Sequence, residues 1–267
     1  MTVARRSLSP RALVGAAFGI VALSCGEVPT FPDGIAYISA VLLPAPAVAL
    51  GDTLRDSLGV ATPIRVVAIG VNGDTIPGIT ATFVVTTVPG KSLSVGETGY
   101  VVGDSVRSAQ VVARVGDRLQ TPPALLEVVR QPDSLAPTSA TTMTRIGEIA
   151  TGEVFATSSP LAVLVSTGAT ATRSPVRGII VRYAITKIFP ESAPIPDTTV
   201  VLIDDANRFI GATGRSGADT TDVSGNASRR VRAVPFGFDS VEIRASANDL
   251  KGVPLRGSPI RFVVTTK

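Results

Sequence analysis

The sequence predicts an all-β protein built from two tandem β-sandwiches. Apolar residues make up 45% of it, and 25 Gly and 20 Pro punctuate the chain, a composition that favours pleated strands separated by turns. Most apolar segments alternate with polar residues at a period of two, as strands do when one face packs on a core and the other meets water. The 267 residues suffice for a leader and two domains of about a hundred residues each.

The first 24 residues predict an export signal that is cleaved from the mature protein. Arg5, Arg6 and Arg11 precede an uncharged apolar run from Ala12 to Ser24. As a helix this run would extend about 20 Å, less than the roughly 30 Å hydrocarbon core of a bilayer. It therefore predicts the apolar region of a signal peptide and not a membrane span. The paired arginines leave both general and twin-arginine export open.

The one cysteine of the chain, Cys25, directly follows this run. Together with the preceding Ala22-Leu23-Ser24 it resembles the lipobox of bacterial lipoproteins. The resemblance implies that Cys25 receives a diacylglycerol thioether and becomes the first residue after cleavage. Gly26 stands where Asp would retain a Gram-negative lipoprotein at the inner membrane, so the resemblance also implies the outer membrane. The open alternatives are a free, buried cysteine and an uncleaved anchor helix.

Residues 25–34 predict a short lipidated tether, since the chain from Gly26 to Asp33 holds two prolines and shows no periodicity. Three of the positive charges lie in the leader, and without them the formal net charge falls from +4 to +1. A nearly neutral mature chain would attract the phosphate backbone of a nucleic acid only weakly at long range. We therefore expect an exported protein of the cell envelope that meets the membrane through its lipid and has no nucleic-acid partner.

Three segments carry the clearest strand alternation. Their apolar faces consist of Ile79, Ala81, Phe83 and Val85, of Val241, Ile243, Ala245 and Ala247, and of Ile260, Phe262 and Val264. The whole pattern predicts roughly 14 strands, too many for one sandwich of about seven to nine. Polar and proline residues from Arg130 to Pro137 mark the break, which gives a first sandwich over residues 35–131 and a second over residues 132–267.

The two halves also share a motif in which Pro and Gly precede a strand that ends in an aromatic residue. In this motif Pro77 to Phe83 corresponds to Pro175 to Tyr183. The chain thereby resembles the bacterial immunoglobulin-like domains of invasin- and intimin-type surface proteins. The resemblance extends over Thr221 to Ala227 and Val241 to Ala245 in the second half and, in the related form, over Val95 to Asp104 and Ala109 to Gly116 in the first. It implies immunoglobulin-like sandwiches that serve as an adhesion, interaction or spacer module.

Catalytic motifs are missing from the sequence. The chain has no histidine, which removes Ser-His-Asp triads, Cys-His dyads and most zinc sites. Its one thiol is assigned to lipid. It has neither a phosphate-binding loop of the Gly-x-x-x-x-Gly-Lys-Ser/Thr type nor a Gly-x-Ser-x-Gly elbow. We predict a non-enzymatic protein that needs no cofactor.

Asp204, Asp205 and Asn207 are weak calcium candidates, because carboxylate and amide oxygens suit this hard cation. Phe209 stands where a further oxygen ligand is needed and no glutamate closes the loop, so the stretch is no EF-hand and the simpler prediction is a β-turn without metal. A second function stays open. A periplasmic carbohydrate-binding or hydrolytic protein would use paired carboxylates such as Asp204, Asp205 or Asp219, held about 5 to 10 Å apart in one cleft.

The sharpest positive cluster consists of Arg229, Arg230 and Arg232, with Arg244 and Arg261 on adjacent predicted strands. A solvated sheet face near Glu242 is the favoured interpretation, and a patch for an anionic polysaccharide is the alternative. The surface partner is accordingly either a protein or a polysaccharide. A third hypothesis is that the protein is a component of a larger surface assembly. This hypothesis requires exposed edge strands that can pair with a further strand.

Overall fold

The computed structural model describes residues 34–86, 91–116, 118–142, 144–146, 155–169, 172–190, 199–210, 213–234 and 238–265. Strands and turns account for these residues, and no α-helix occurs among them. In this part of the chain no helix is long and apolar enough to cross a membrane. The predicted leader, Cys25 and the tether up to Asp33 lie outside the described residues.

Strands β1 to β10 form the first sandwich. They are β1 (Ile35–Leu42), β2 (Ala47–Ala49), β3 (Arg65–Gly70), β4 (Thr75–Ile76), β5 (Thr82–Val85), β6 (Leu93–Val95), β7 (Val101–Gly103), β8 (Ser108–Val115), β9 (Leu119–Gln120) and β10 (Ala124–Val129). One sheet has the order β1-β3-β4, a second has the order β2-β10-β8-β5 with β9 beside β8, and β6 and β7 form a hairpin. Leu54, Leu93, Val101, Val111 and Leu126 are fully buried between them.

Strands β11 to β21 form the second sandwich. They are β11 (Ser134–Pro137), β12 (Thr144–Arg145), β13 (Ala156–Thr157), β14 (Leu161–Thr167), β15 (Ser174–Pro175), β16 (Ile180–Phe189), β17 (Val200–Ile203), β18 (Ser216–Thr220), β19 (Asn226–Ala233), β20 (Ser240–Ala247) and β21 (Ile260–Thr265). One sheet has the order β11-β14-β19-β13, with β15 on β14 and β17 on β19, and the other has the order β12-β21-β20-β16-β18.

The buried Tyr183 links the two sheets of the second sandwich. It lies on β16, is fully buried, and its hydroxyl donates a hydrogen bond of 2.9 Å to the carbonyl of Ala227 on β19. Burial raises the pKa of this phenol, so the hydroxyl stays protonated and keeps donating. Around it pack the apolar faces of the neighbouring strands, in which Ile243 and Phe262 are fully buried.

Both sandwiches begin in the same way. The chain forms one strand on the first sheet, crosses over, and runs parallel to the last strand of the opposite sheet, β2 beside β10 and β12 beside β21. In the second sandwich the strand neighbours β11-β14-β19-β17 and β21-β20-β16 are those of an immunoglobulin-like sandwich. The predicted all-β fold of two immunoglobulin-like sandwiches is confirmed. The boundary at residue 131 stays a prediction, and it falls between the end of β10 and the start of β11.

The sequence alternation located the core of the second sandwich correctly and that of the first less well. Val241, Ile243, Ala245, Ala247, Ile260, Phe262 and Val264 are all buried as predicted. In the first sandwich β5 begins at Thr82, three residues after the predicted Ile79, and its inward side chains stay partly exposed. The described residues hold 21 strands where roughly 14 were expected, because several are only two residues long and leave no alternation to detect.

Candidate functional site at the junction of the two sandwiches

An ion pair joins the two sandwiches. Arg177, in the segment between β15 and β16, places its Nη2 2.6 Å from Oε2 of Glu127 on β10. The same Nη2 donates to Oγ of Ser108, 2.9 Å away, and Ser108 donates in turn to Oε1 of Glu127 at 3.1 Å. Most of the Glu127 side chain is buried, with 13% exposed. Because the Glu127 carboxylate is largely withdrawn from water, its attraction to Arg177 is little screened, and the two hydrogen bonds of Ser108 connect the same side chains.

Gly178 lets the backbone of the second sandwich lie directly against the first. Its φ is +74°, and a Cβ there would lie 2.9 Å from Cβ of Ala47 and 3.5 Å from Cβ of Glu127. Only glycine combines this conformation with this approach. Ala47 and Val129 of the first sandwich are buried in the same apolar cluster as the core of the second. Apolar packing therefore joins the two sandwiches in addition to the ion pair.

Thr221 holds the segment that carries Arg177 and Gly178. Its Oγ1 accepts the N–H of Ile179 at 2.9 Å and donates to the carbonyl of Val176 at 2.8 Å. Its backbone carbonyl accepts the N–H of Gly178, and its backbone N–H donates to the carbonyl of Ile179. Thr221 is buried, so these four hydrogen bonds fix the segment without competition from water.

Two similar turns pack against each other on another side of the junction, Asp56–Val60 from the first sandwich and Asp249–Val253 from the second. In each, the Asp Oδ1 accepts the N–H groups of the residues two and four positions later. Gly59 and Gly252 have φ of +80° and +85°, and a Cβ on Gly252 would lie 2.8 Å from the carbonyl oxygen of Leu58. A Cβ on Gly59 would overlap the carbonyl of Lys251. The turns meet backbone to backbone.

A groove of about 400 Å³ opens beside the ion pair. Its lining includes Val106 and Val223, which are 49% and 76% exposed, together with Arg130 and Arg177. Clefts between domains are frequent binding sites. Apolar side chains beside guanidinium groups suit a partner that presents an apolar group next to a carboxylate or sulfate.

The weak calcium candidates form a turn of the same type. Oδ1 of Asp204 accepts the N–H groups of Ala206 and Arg208, both at 2.9 Å, and Oδ2 pairs with Nε of Arg208 at 2.8 Å. These bonds, the backbone N–H of Arg208 first, hold the pKa of Asp204 below its ordinary value of 3.8. Asn207 takes φ of +59°. The stretch therefore forms a turn, as predicted. The described residues contain no group of three or more His, Cys, Asp or Glu able to hold a metal ion, and the absence of calcium from this turn stays a prediction.

The carboxylates proposed for hydrolysis are each held by a basic side chain. Asp205 lies 3.8 Å from Nε of Arg230, and Asp219 lies 3.1 Å from Nη1 of Arg229. Asp219 also accepts the N–H of Ser228 at 2.8 Å. These bonds give the carboxylate oxygens of Asp204 and Asp219 internal partners, whereas the Asp205 side chain is mostly exposed and makes only the 3.8 Å contact with Arg230.

The arginine cluster divides into separate contacts. Beyond the pairs of Arg229 and Arg230, Arg232 stacks between the rings of Phe155 and Phe209, 4.3 Å from each centroid. Arg244 and Arg261 lie on the opposite sheet, where their Nε atoms are 3.1 and 2.7 Å from the carboxylate of Glu242. Each of these guanidiniums thus has an acidic or aromatic partner.

Glu242 differs from its predicted position on a solvated face, because it is only 4% exposed. Arg261 and Arg244 cover it, and Thr186 donates to its Oε1 at 3.0 Å. The hydrogen bond from Arg261, followed by those from Thr186 and Arg244, holds the pKa of Glu242 below its ordinary value of 4.5. The alternation correctly assigned residue 242 to the outer face, but the long side chains of Arg244 on the same strand and of Arg261 on the adjacent strand cover it.

Glu242→Gln is expected to weaken the acid dependence of stability. Because the folded-state pKa of Glu242 is lowered, its contribution is complete above about pH 4.5 and is lost as the pH falls through the folded-state pKa. The variant should therefore unfold at a lower temperature than wild type at pH 7, and the difference should shrink towards pH 3. Thermal unfolding across this range measures it. Glu97→Gln, at an exposed turn, controls for the loss of one charge, and an equal profile for both variants would contradict the expectation.

The sequence patterns did not predict the residues at the junction. Arg177 and Gly178 lie inside the shared motif, but the motif predicted only a strand, and nothing in it points to Glu127, fifty residues away. The turns carried a usable signal, since Asp-x-x-Gly occurs at Asp56, Asp222 and Asp249 and each forms the same pair of carboxylate bonds. Binding residues and lipidation at Cys25 remain predictions.

No family model matches the chain, and no curated protein is similar to it. Among solved structures, the adhesin InvE of Yersinia pseudotuberculosis is similar over 88% of this chain and 61% of its own, with 16% identity and a TM-score of 0.32. Domains 4 and 5 of the S-layer protein SbsC are similar over 86% and 98%, with 14% identity and a TM-score of 0.32. The Escherichia coli adhesin FdeC is similar over 85% and 63%, with 14% identity and a TM-score of 0.26. A likeness at these TM-scores carries no conclusion about what this chain binds.

Proposed function

We propose that the chain is a non-enzymatic lipoprotein of the cell envelope, anchored by acylated Cys25, whose two sandwiches present or space an interaction surface away from the membrane. The observation that carries this proposal is the braced junction. Domains in one chain move relative to each other by default unless their interface is extensive. Here the Arg177–Glu127 pair, the glycine contact at Ala47 and the paired turns act together, and these contacts suit a stiff support.

The surface that meets a partner is proposed to include the junction groove. Its exposed Val106 and Val223 stand beside Arg130, and both sandwiches contribute to its walls. A protein partner or an acidic polysaccharide of a neighbouring surface has the chemistry to bind there. Cross-linking on intact cells, followed by capture of the chain from the envelope, identifies this partner. The proposal fails if only cytoplasmic proteins are recovered.

Cys25→Ser is expected to release the protein almost completely from the membrane fraction. A serine hydroxyl cannot take the thioether, and two or three acyl chains bind far more firmly than the single chain that gives only reversible attachment. Fractionation and labelling with palmitate measure the effect. Ser24→Ala keeps a small residue before the cysteine and should retain both the label and the membrane fraction. An unlabelled native protein, or a Cys25→Ser protein still in the membrane, contradicts the anchor.

A further inference from the structure

Strand β5 lies at one edge of the first sandwich, and no described strand covers its outer side. Within the described residues it pairs only with β8. The N–H of Thr86 bonds to the carbonyl of Gln110, 2.9 Å away, which fixes the phase of the ladder. In an antiparallel pair the backbone N–H and C=O groups of every second residue bond to the neighbouring strand. The backbone groups of Thr82 and Val84 therefore point towards β8. The backbone groups of Ala81, Phe83 and Val85 consequently point away from the sheet.

In the second sandwich the corresponding edge is covered by a further strand. Gly78 and Gly178 share φ of +74°, and each stands five residues before an aromatic, Phe83 on β5 or Tyr183 on β16. At the edge of β16 the five-residue strand β18 pairs antiparallel, with Tyr183 opposite Gly217. The place beside β5 that corresponds to β18 holds no strand of the described chain.

The length of the connection explains the difference. Between β16 and β18 the chain has room for β17, which pairs with β19 and leaves β18 free to cover β16. In the first sandwich only residues 86–92 separate β5 from β6. Here β6 pairs with β7, with Val95 opposite Val101, and among the described residues no further strand precedes β6 to cover β5.

The uncovered edge changes how the strand is buried. Val181 and Tyr183 on β16 are fully buried, whereas Ala81, Phe83 and Val85 pack on the core but remain partly exposed. Edge strands usually carry a charge or a proline that blocks further pairing. From Thr75 to Gly90 the chain holds no charged residue, and its prolines lie outside the strand. The edge is therefore competent to pair.

We propose that two copies of this chain associate by antiparallel pairing of β5 with β5, centred on Phe83. The outward groups of Ala81, Phe83 and Val85 are symmetric about Phe83, so a two-fold axis there places Phe83 opposite Phe83 and Ala81 opposite Val85. Three such pairs form about six hydrogen bonds. On the outer face Thr82 of each copy stands opposite Val84 of the other, and branched or aromatic pairs of this kind stabilise a sheet.

Self-complementarity favours a second copy over an unrelated strand. A two-fold axis satisfies all the outward groups with one segment, and the uncharged edge brings no like charges together. The interface is small, so a dissociation constant between about 10 μM and about 1 mM is expected. Confinement of many copies to one membrane, which rests on the proposed anchor, would raise their effective concentration and favour the pairing.

The test uses two double variants at the same two positions. In Thr82→Lys/Val84→Lys every outer cross-strand pair places lysine opposite lysine, whereas in Thr82→Lys/Val84→Glu every such pair places lysine opposite glutamate. The full chain, purified in a mild detergent, is examined by sedimentation equilibrium over the stated concentration range. Wild type should dimerise, the Lys/Lys variant should bind at least about tenfold more weakly, and the Lys/Glu variant should stay within about threefold of wild type. Circular dichroism checks that both variants fold.

A wild-type chain that stays monomeric at about 1 mM overturns the proposal. Equal weakening of both variants overturns it too, since it would show that residues 82 and 84 do not face each other. Membrane fractionation of the same variants separates this outcome from the proposed function. A monomer that remains membrane-bound contradicts the pairing alone.

Discussion

Gly252→Ala should lower the free energy of unfolding by about 2 to 5 kcal/mol. The left-handed conformation costs a residue with a Cβ about 1 to 2 kcal/mol, and overpacking against rigid neighbours adds about 1 to 3 kcal/mol. The neighbours here are backbone atoms, the carbonyl oxygen of Leu58 at 2.8 Å and Cα of Gly59 at 3.3 Å. They belong to the other sandwich, so the variant should also loosen the junction. Calorimetric unfolding of the full chain measures the loss.

Gly73→Ala separates the two contributions. Gly73 has the same φ of +85°, and a Cβ there would meet no atom within 4 Å. Its loss should therefore stay near the conformational cost of about 1 to 2 kcal/mol. Equal losses for Gly73→Ala and Gly252→Ala would mean that the two turns do not touch in solution.

Thr221→Val should cost about 2 to 6 kcal/mol of unfolding free energy. Valine has the shape of threonine but cannot bond, so the N–H of Ile179 and the carbonyl of Val176 would both remain buried without their partner. Each unsatisfied buried group costs about 1 to 3 kcal/mol. The segment Val176–Ile179 should then move, and with it Arg177. Chemical denaturation gives the energy, and amide exchange at Ile179 reports the loss of its bond.

Two matched changes test this interpretation of Thr221. Thr221→Ser keeps the oxygen and should restore most of the stability. Thr220→Val, at the exposed neighbour, removes a hydroxyl with no comparable buried bonds and should change stability by less than about 0.5 kcal/mol. If Thr220→Val and Thr221→Val were equally destabilising, the hydroxyl of Thr221 would not be what holds the segment.

The alternation of apolar and polar residues predicted those strands that have one face on the core and the other in water. Val241 to Ala247 alternate because one face meets the core, and each predicted inward residue is buried. Glu242 shows the limit of the pattern, since its cover comes from Arg261 on another strand. Period-two alternation names the face on which a residue lies, but the reach of a neighbouring side chain depends on register between strands far apart in sequence.

The junction and the open edge depend on distant parts of the chain. Arg177 contacts Glu127 only because the two sandwiches pack in one orientation. That orientation depends on the whole surfaces in contact, so no local sequence pattern predicts it. The exposure of β5 depends on a connector too short to hold another strand. That length is visible in the sequence, but its consequence appears only once β6 is known to pair with β7.

The parallel pairs β2–β10 and β12–β21 determine how the molecule responds to mechanical tension. Pulling on the chain from either side of a sandwich draws the first member of each pair one way and the last member the other. The hydrogen bonds between them lie across the force and are sheared together, whereas the bonds of a hairpin pulled at its open end break one at a time. Resistance to such a load depends on the unfolding barrier more than on equilibrium stability. Each sandwich therefore holds its shape under tension through the pairing of its second strand with its last strand.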